Sequence, residues 1–299
     1  MNLRQLEYFV AIADAGSLSG AAERLFVSQP SLSQQIAALE RELGGRLLER
    51  LPRGVRLTAA GQSLLPEARA AIRHAERGRR LVRSALELEA GQLEVVASTS
   101  IAAGVLPAVL AVWQQSYPRI EVSLLEFPHR RVVDEAARDG AGDVAVGSPP
   151  ANWSGPVEHL GWEEFLVVLP DGDPLLESSS VSLAALAGRR WVHFAPSHGL
   201  AEVIDLCCAN AGYAPRVAVR TSQVPAAPRF AATGLGPTLV PEHTIPDALS
   251  HLARPASPRV SRSVVAFTRS EWTPLTSAFL TTLRAYPWQR KPAGAIDLG

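Results

Sequence analysis

Residues 28–35 read Ser-Gln-Pro-Ser-Leu-Ser-Gln-Gln, a run of hydroxyls and carboxamides with one apolar residue inside it. Such groups at a helix start can donate to phosphates and read base edges in a major groove. A solvated surface helix more often carries Glu and Lys, so Gln29, Ser31, Ser33, Gln34 and Gln35 favour a reading face over a plain interaction helix. Downstream, Arg46, Arg50, Arg53 and Arg56 recur every three or four residues around the turn Pro52-Arg53-Gly54. A basic wing would carry Arg53 at its tip, where a guanidinium suits a narrow, electronegative minor groove. A solvated charged hairpin is the plain alternative for any one of these arginines. A third group, Ser98-Thr99-Ser100, lies between a β-branched run and a helical run. Hydroxyls and free N–H groups there favour a carboxylate or another anion, and a simple N-cap is the competing reading.

The elements that must position these groups follow from spacing. Leu18, Ala21, Ala22 and Leu25, then Leu32, Ile36, Leu39 and Leu43, keep three- and four-residue steps, so two short helices each bury one face. Phe26 to Pro30 interrupts the pattern, with Ser28 as N-cap and Pro30 in the first turn. The result is a helix-turn-helix. Thr58 caps a further helix reaching about Glu89, in which Leu65, Ala68, Ile72, Ala75, Arg79, Val82 and Leu86 alternate steps of 3 and 4. That is a coiled-coil seam for a second copy, broken only by Arg79; packing of this face on the protein's own body is the alternative. Pro66 is a candidate kink. A two-fold pair would read two half-sites a helical turn or a multiple apart.

Beyond Gly91 strands and helices alternate. Strands are expected at 93–97, 120–127, 143–147, 165–169, 191–194, 217–220, 238–240 and 264–268, and helices at 101–115, 132–139, 200–211, 226–233 and 274–285. This order predicts a parallel sheet covered on both faces. Ligands then bind outside the carboxyl ends of the strands, where residues 98–100 fall.

Composition sets bounds. The 299 residues suit two or three compact units. Net charge is zero but uneven: residues 41–83 hold eleven Arg against four Glu, +7, whereas residues 91–299 sum to −3. A local basic surface fits DNA contact. No apolar stretch is long enough to span a bilayer and no signal sequence opens the chain, so a cytoplasmic protein without a membrane partner is expected. Cys207 and Cys208 are adjacent, where a mutual disulfide is strained, and ordinary buried thiols are favoured over a redox pair. No Gly-x-Ser-x-Gly elbow, phosphate loop, His-Glu-x-x-His or paired Cys-x-x-Cys occurs, and the seven histidines show no ligand spacing. No enzyme, catalytic residue, metal or cofactor is expected.

The N-terminal residues resemble the LysR-type transcriptional regulators. The match runs from Leu3-x-x-Leu6-x-x-Phe9 through Ser17, Ala21-Ala22, Leu25, Ser28-Gln29-Pro30, Ser33, Ile36, Leu39-Glu40, Leu43-Gly44, Leu47 and Arg50 to Leu57-Thr58-x-x-Gly61. Leu48 departs from it, standing where the family usually has Phe. The resemblance assigns Gln29, Pro30, Ser31, Ser33 and Gln34 to the recognition helix and Arg50 and Arg53 to the wing. Later marks are Val105-Leu106-Pro107, Tyr117-Pro118, Asp143-Val144-Ala145-Val146, and Gly234-Leu235-Gly236 followed by Val240-Pro241.

The resemblance implies an α/β protein of three parts. These are a winged helix-turn-helix over 1–58, a dimerising linker helix over 59–90, and a two-lobed, periplasmic-binding-protein-like effector domain over 91–299. Crossings near 161–166 and 261–267 give lobe one as 91–161 plus 268–299 and lobe two as 162–267. To Ser98, Thr99 and Ser100 the resemblance adds Phe127, Pro128, His129, Gly147, Ser148, Ser197, His198, Thr221 and Ser222 as cleft residues. Phe127-Pro128-His129 replaces a commoner glycine and hydroxyl pair, narrowing the cleft toward an aromatic or carboxylate-bearing effector, with His129 or His198 as partner for an acid. The implied partners are promoter DNA, that effector and further copies of the chain, as dimer and tetramer. An architectural DNA binder or constitutive repressor with a non-sensing C-terminal domain is the alternative.

Overall fold

The computed structural model describes residues 1–51, 54–86 and 91–298, and the chain divides into two compact units, Met1–Val82 and Arg83–Gly299. The first opens with α1 (Leu3–Ala15), α2 (Leu18–Arg24) and α3 (Gln29–Leu43). Each helix is started by a side chain that accepts from its own first turn: Asn2 from Gln5 N at 3.0 Å, Ser17 from Gly20 N at 3.1 Å, Ser28 from Ser31 N at 3.3 Å. Leu32, Ile36 and Leu39 are buried with Phe9, Ile12, Ala21 and Ala22, as their spacing requires, whereas Leu43 is 45% exposed at the helix end.

The wing is the antiparallel pair β1 (Leu48–Arg50) and β2 (Val55–Leu57), with Leu48 opposite Leu57. Leu48 is buried, so its aliphatic side chain fills a place in the core of this unit. Glu40 of α3 accepts from Leu47 N at 2.8 Å and Leu48 N at 3.1 Å, tying the hairpin to the helix. Gly54 has φ +94°, and a Cβ there would lie 2.5 Å from Gly16 O, to which Val55 N also donates at 2.9 Å. Only glycine lets the wing approach the end of α1 so closely. Arg53 lies outside the described residues.

Thr58 caps α4 (Ala59–Leu86) by accepting from Gly61 N at 3.1 Å and donates to Arg46 O at 2.7 Å. The helix is continuous through Pro66. Its apolar face is not free along its whole length. Ala68 is 1% exposed inside the core of the first unit, and Leu65 and Ile72 pack against that core. The seam expected from Leu65 to Leu86 is therefore corrected at its start: the nearest apolar surface, the helix-turn-helix, takes Ala68. Ala75 is half-buried, Arg79 and Val82 are exposed, and the Leu86 side chain is outside what is described.

The second unit runs β3 (Gly91–Ser98), α5 (Thr99–Gly104), α6 (Leu106–Ser116), β4 (Ile120–Phe127), α7 (Arg130–Arg138), β5 (Val144–Gly147), β6 (Val157–Val168), β7 (Val181–Ser182), β8 (Arg190–Phe194), α8 (Gly199–Asn210), β9 (Arg216–Thr221), α9 (Ala226–Phe230), β10 (Thr238–Pro241), β11 (Ala253–Phe267), α10 (Pro274–Ala285) and β12 (Ile296–Asp297). The main sheet has the order β10-β6-β11-β5-β3-β4. β3 is parallel to β4 and β5, and β8 is parallel to β9, as the alternating pattern predicts. β6 and β11 are antiparallel and much longer than expected, pairing from Val157 opposite Phe267 to Val168 opposite Ala253. The wholly parallel sheet is thus corrected to a mixed one. One strand carries the chain out of lobe one and the other brings it back, so they must run in opposite directions.

Alternate residues of β3 feed two cores of lobe one: Leu93, Val95 and Ala97 meet Trp113, Phe279 and Leu283, while Val96 meets Val133 and Phe267 on the other face. Lobe two gathers Phe165, Val167, Trp191, Phe194, Ile204 and Val240. The tail departs from expectation: β12 pairs with β11 beside Val260, and Ile296 and Leu298 pack on lobe two, so 268–299 does not belong entirely to lobe one. Among the described residues no helix is long and apolar enough to cross a membrane.

Glu40→Ala strands the Leu47 and Leu48 amides, and thermal denaturation should show a loss of about 1–3 kcal/mol. Glu40→Gln, which keeps an acceptor, should recover part of it.

Candidate functional site

Two surfaces collect the expected residues, one in each unit. On α3, Gln29, Pro30, Ser31, Gln34 and Gln35 are exposed and Ser33 is half-buried, opposite the Leu32–Ile36–Leu39 face. The helix starts at Gln29, so these groups occupy its first two turns. The adjoining wing places Arg50 at the end of β1; its side chain is outside the described set. Arg56 is already engaged, donating to Glu49 across the hairpin at 2.6 and 3.1 Å.

In the second unit a cavity of about 300 Å³ opens between the lobes. Of the twelve expected cleft residues it is lined by Ser98, Thr99, Ser100, Pro128, His129, Ser148 and His198. Ser98 ends β3, Thr99 and Ser100 begin α5, Pro128 and His129 link β4 to α7, Ser148 follows β5, and His198 precedes α8. The ends of separate strands thus converge, as an α/β sheet requires. Lobe two meets lobe one directly: Gly199 N donates to Pro128 O at 2.8 Å, His198 Nε2 lies 3.0 Å from Thr99 Oγ1, and His129 Nε2 lies 3.0 Å from Glu202 Oε1.

Both histidines are helix caps, accepting through Nδ1 from Leu200 N at 3.2 Å and Arg131 N at 3.1 Å respectively. A backbone N–H can only donate, so each ring carries its proton on Nε2. His198 is buried and stacked on Phe194. Burial, reinforced by the charge of Arg262, pushes its pKa down to about 4, and it is neutral at physiological pH.

Five expected residues do not line this cavity. Phe127 packs into the Val96–Phe267 core of lobe one, so its bulk does not narrow the cleft; the strand pleat turns it to that face. Gly147 is buried within the sheet opposite Val265, Ser197 and Ser222 are exposed, and Thr221 accepts from Gln223 N at 3.0 Å. The sequence reading missed Arg130, Leu200, Glu202, Val203, Leu206, Leu298 and above all Arg262. Arg262 on β11 is the register partner of Glu163 on β6, forms an ion pair with it, and donates to Ser100 Oγ at 3.1 Å. Its side chain is 11% exposed and that of Glu163 2%. A signal existed: Glu163-Glu164 in one crossing segment is complementary to Arg259 and Arg262 in the other.

Cys207 and Cys208 are buried and free. Burial pushes the Cys207 thiol up to about 12 and raises that of Cys208, so neither offers a ready thiolate.

Both units match families of known proteins. Residues 3–62 match a family model described as bacterial regulatory helix-turn-helix protein, lysR family, and residues 86–287 one described as LysR substrate binding domain. The HTH-type transcriptional regulator TfdS of Cupriavidus pinatubonensis is 35% identical over 300 residues, covering 95% of this chain and 98% of that one. The Hca operon transcriptional activator HcaR of Escherichia coli is 34% identical over 245 residues, covering 81% and 82%. Full-length CbnR, solved in complex with its target DNA, superposes with a TM-score of 0.69 at 26% identity over 95% of this chain and 99% of that one.

A histidine held neutral makes stability depend on pH. The folded His198 pKa of about 4 lies below its ordinary 6.5, so on acidification the unfolded chain takes up protons first. Urea unfolding should show this contribution complete above about pH 6.5 and lost progressively toward about pH 4, and His198→Asn should flatten that slope. His243, also pushed down by burial, adds in the same direction and remains in the variant.

Proposed function

This chain belongs to the LysR family of DNA-binding transcriptional regulators, and on that premise we propose how its own residues divide the work. Gln29, Pro30, Ser31, Ser33 and Gln34 enter the major groove, and Arg50 and Arg53 track the adjoining backbone and minor groove. The observation that carries this is the exposed amide-and-hydroxyl row on the first turns of α3, beside a wing that Glu40 ties to that helix. The interlobe cavity takes a small carboxylate-bearing effector through Ser98, Thr99, Ser100, His129, Ser148 and His198. An effector that prefers one arrangement of the lobes shifts the population toward it, and so the geometry demanded of the DNA. Two copies pair through the outer part of α4, where Arg79 and Val82 are exposed, and a pair of such dimers reads an extended promoter site in the cytoplasm.

DNA binding is tested on a duplex enriched by in vitro selection with the full chain. Arg53→Ala should weaken binding to all sequences and reduce the slope of log K against log salt by about 0.9. Gln34→Ala should keep that slope and narrow the gap between selected and random duplex by about 1–3 kcal/mol. An Arg53→Ala protein with wild-type affinity and slope would remove the wing from the interface.

A further inference from the structure

A hydroxyl has one hydrogen and can also accept, so a neighbour that can only donate decides where that hydrogen goes. Two such neighbours stand behind the hydroxyl row of the cavity. His198 Nδ1 is occupied by Leu200 N, which leaves Nε2–H to donate to Thr99 Oγ1 at 3.0 Å. Thr99 is thereby the acceptor, and no acceptor for its own hydrogen is hydrogen-bonded to it among the described residues. Arg262 has no acceptor atom, so Ser100 Oγ accepts from it at 3.1 Å. Ser100 can then pass its hydrogen to Ser98 Oγ, 3.4 Å away, leaving the Ser98 hydrogen to face the cavity.

We infer that His198 and Arg262 are specificity-determining residues, which polarise Ser98, Thr99 and Ser100 from behind so that the cavity presents donors and selects a carboxylate over the neutral amide of the same shape. This rests on the reading of the cavity as the effector site and adds its chemical selectivity. Arg262 does not act as a free cation, because Glu163 pairs with it in register and the Phe165 ring lies 5.4 Å from its guanidinium carbon. The one carboxylate among the lining residues, Glu202, accepts from His129 Nε2 at 3.0 Å with its side chain 71% exposed, and Arg130 lines the same cavity with the opposite charge. His198 keeps its tautomer because burial holds it neutral down to about pH 4. A carboxylate offers only acceptors to these hydroxyls. A primary amide puts an NH₂ where the carboxylate has its second oxygen, so the hydroxyl that meets it can accept through its remaining lone pair but loses the acceptor for its own hydrogen, which is costly in a buried site.

The test is calorimetric titration of the full-length protein with matched pairs: acetate and acetamide, succinate and succinamide, benzoate and benzamide. In the wild type the best-fitting carboxylate should bind about tenfold or more tighter than its amide. Thr99→Val, which keeps the shape and leaves Ser98 as the remaining polarised donor, should lower that ratio by about threefold or more. His198→Asn still caps α8 but falls short of Thr99, and should lower the ratio by about threefold or more with little change for the amide. Damage to the fold alone would weaken both members of a pair equally, and a thermal melt of each variant checks for it.

Equal affinities in the wild type, or a ratio unchanged in both variants, overturns the inference; so does the absence of binding by all three carboxylates. If Thr99→Val weakens both members of a pair that the wild type does not distinguish, selectivity fails but the cavity remains the binding site. If binding is untouched by Thr99→Val and by Ser98→Ala, the ligand lies elsewhere and the effector-site reading falls as well.

Discussion

The antiparallel pairing of β6 with β11 is the constraint from which the second unit takes its form. Both strands belong to two lobes at once, so each lobe must be assembled from distant stretches of chain, and the space between the lobes is fixed beside the crossing. The pairing also sets Arg262 opposite Glu163 where neither sees much solvent. A buried pair of this kind is weak evidence for stability, since desolvation offsets much of the attraction. Its clear effect is positional. An arginine anchored on a crossing strand donates to a serine at the head of α5, linking the backbone that joins the lobes to the group that lines the cavity.

The same economy recurs in the caps. Ser28 opens α3 and leaves its amides and hydroxyls facing outward, while Thr58 both starts α4 and holds the preceding loop through Arg46 O. Beside the cavity the caps of α7 and α8 are histidines, and capping fixes their tautomers. Local backbone satisfaction, which every helix needs, thereby sets the donor and acceptor pattern at the functional surface.

Legibility from sequence differed sharply between the units. The first is built from contacts near in sequence: Leu32, Ile36 and Leu39 share one helix face, Ser28 and Thr58 cap at short range, and the wing follows within a few residues. Periodicity and turn chemistry carry that information. Where the chain met itself at longer range the same rules misled. The apolar stripe of α4 looked like a seam for a partner throughout, yet Ala68 is taken by its own unit, because amphipathic spacing shows that a face is buried and not against what.

The sequence by itself determined a helix-turn-helix with a basic wing, a long amphipathic helix and an alternating α/β region whose strand ends carry Ser98, Thr99, Ser100, His129 and His198. Each of these is written in spacings of a few residues. Only the tertiary structure decided that β6 and β11 run antiparallel, that Phe127 turns into a core, that the tail returns to lobe two, and that Arg262 stands behind Ser100. Those outcomes rest on pairings between residues distant in sequence, from Val260 with Ile296 to Glu163 with Arg262 and Ser100 with Arg262. Hydrophobic period carries no register between distant strands, and register alone determines which charges and hydroxyls meet.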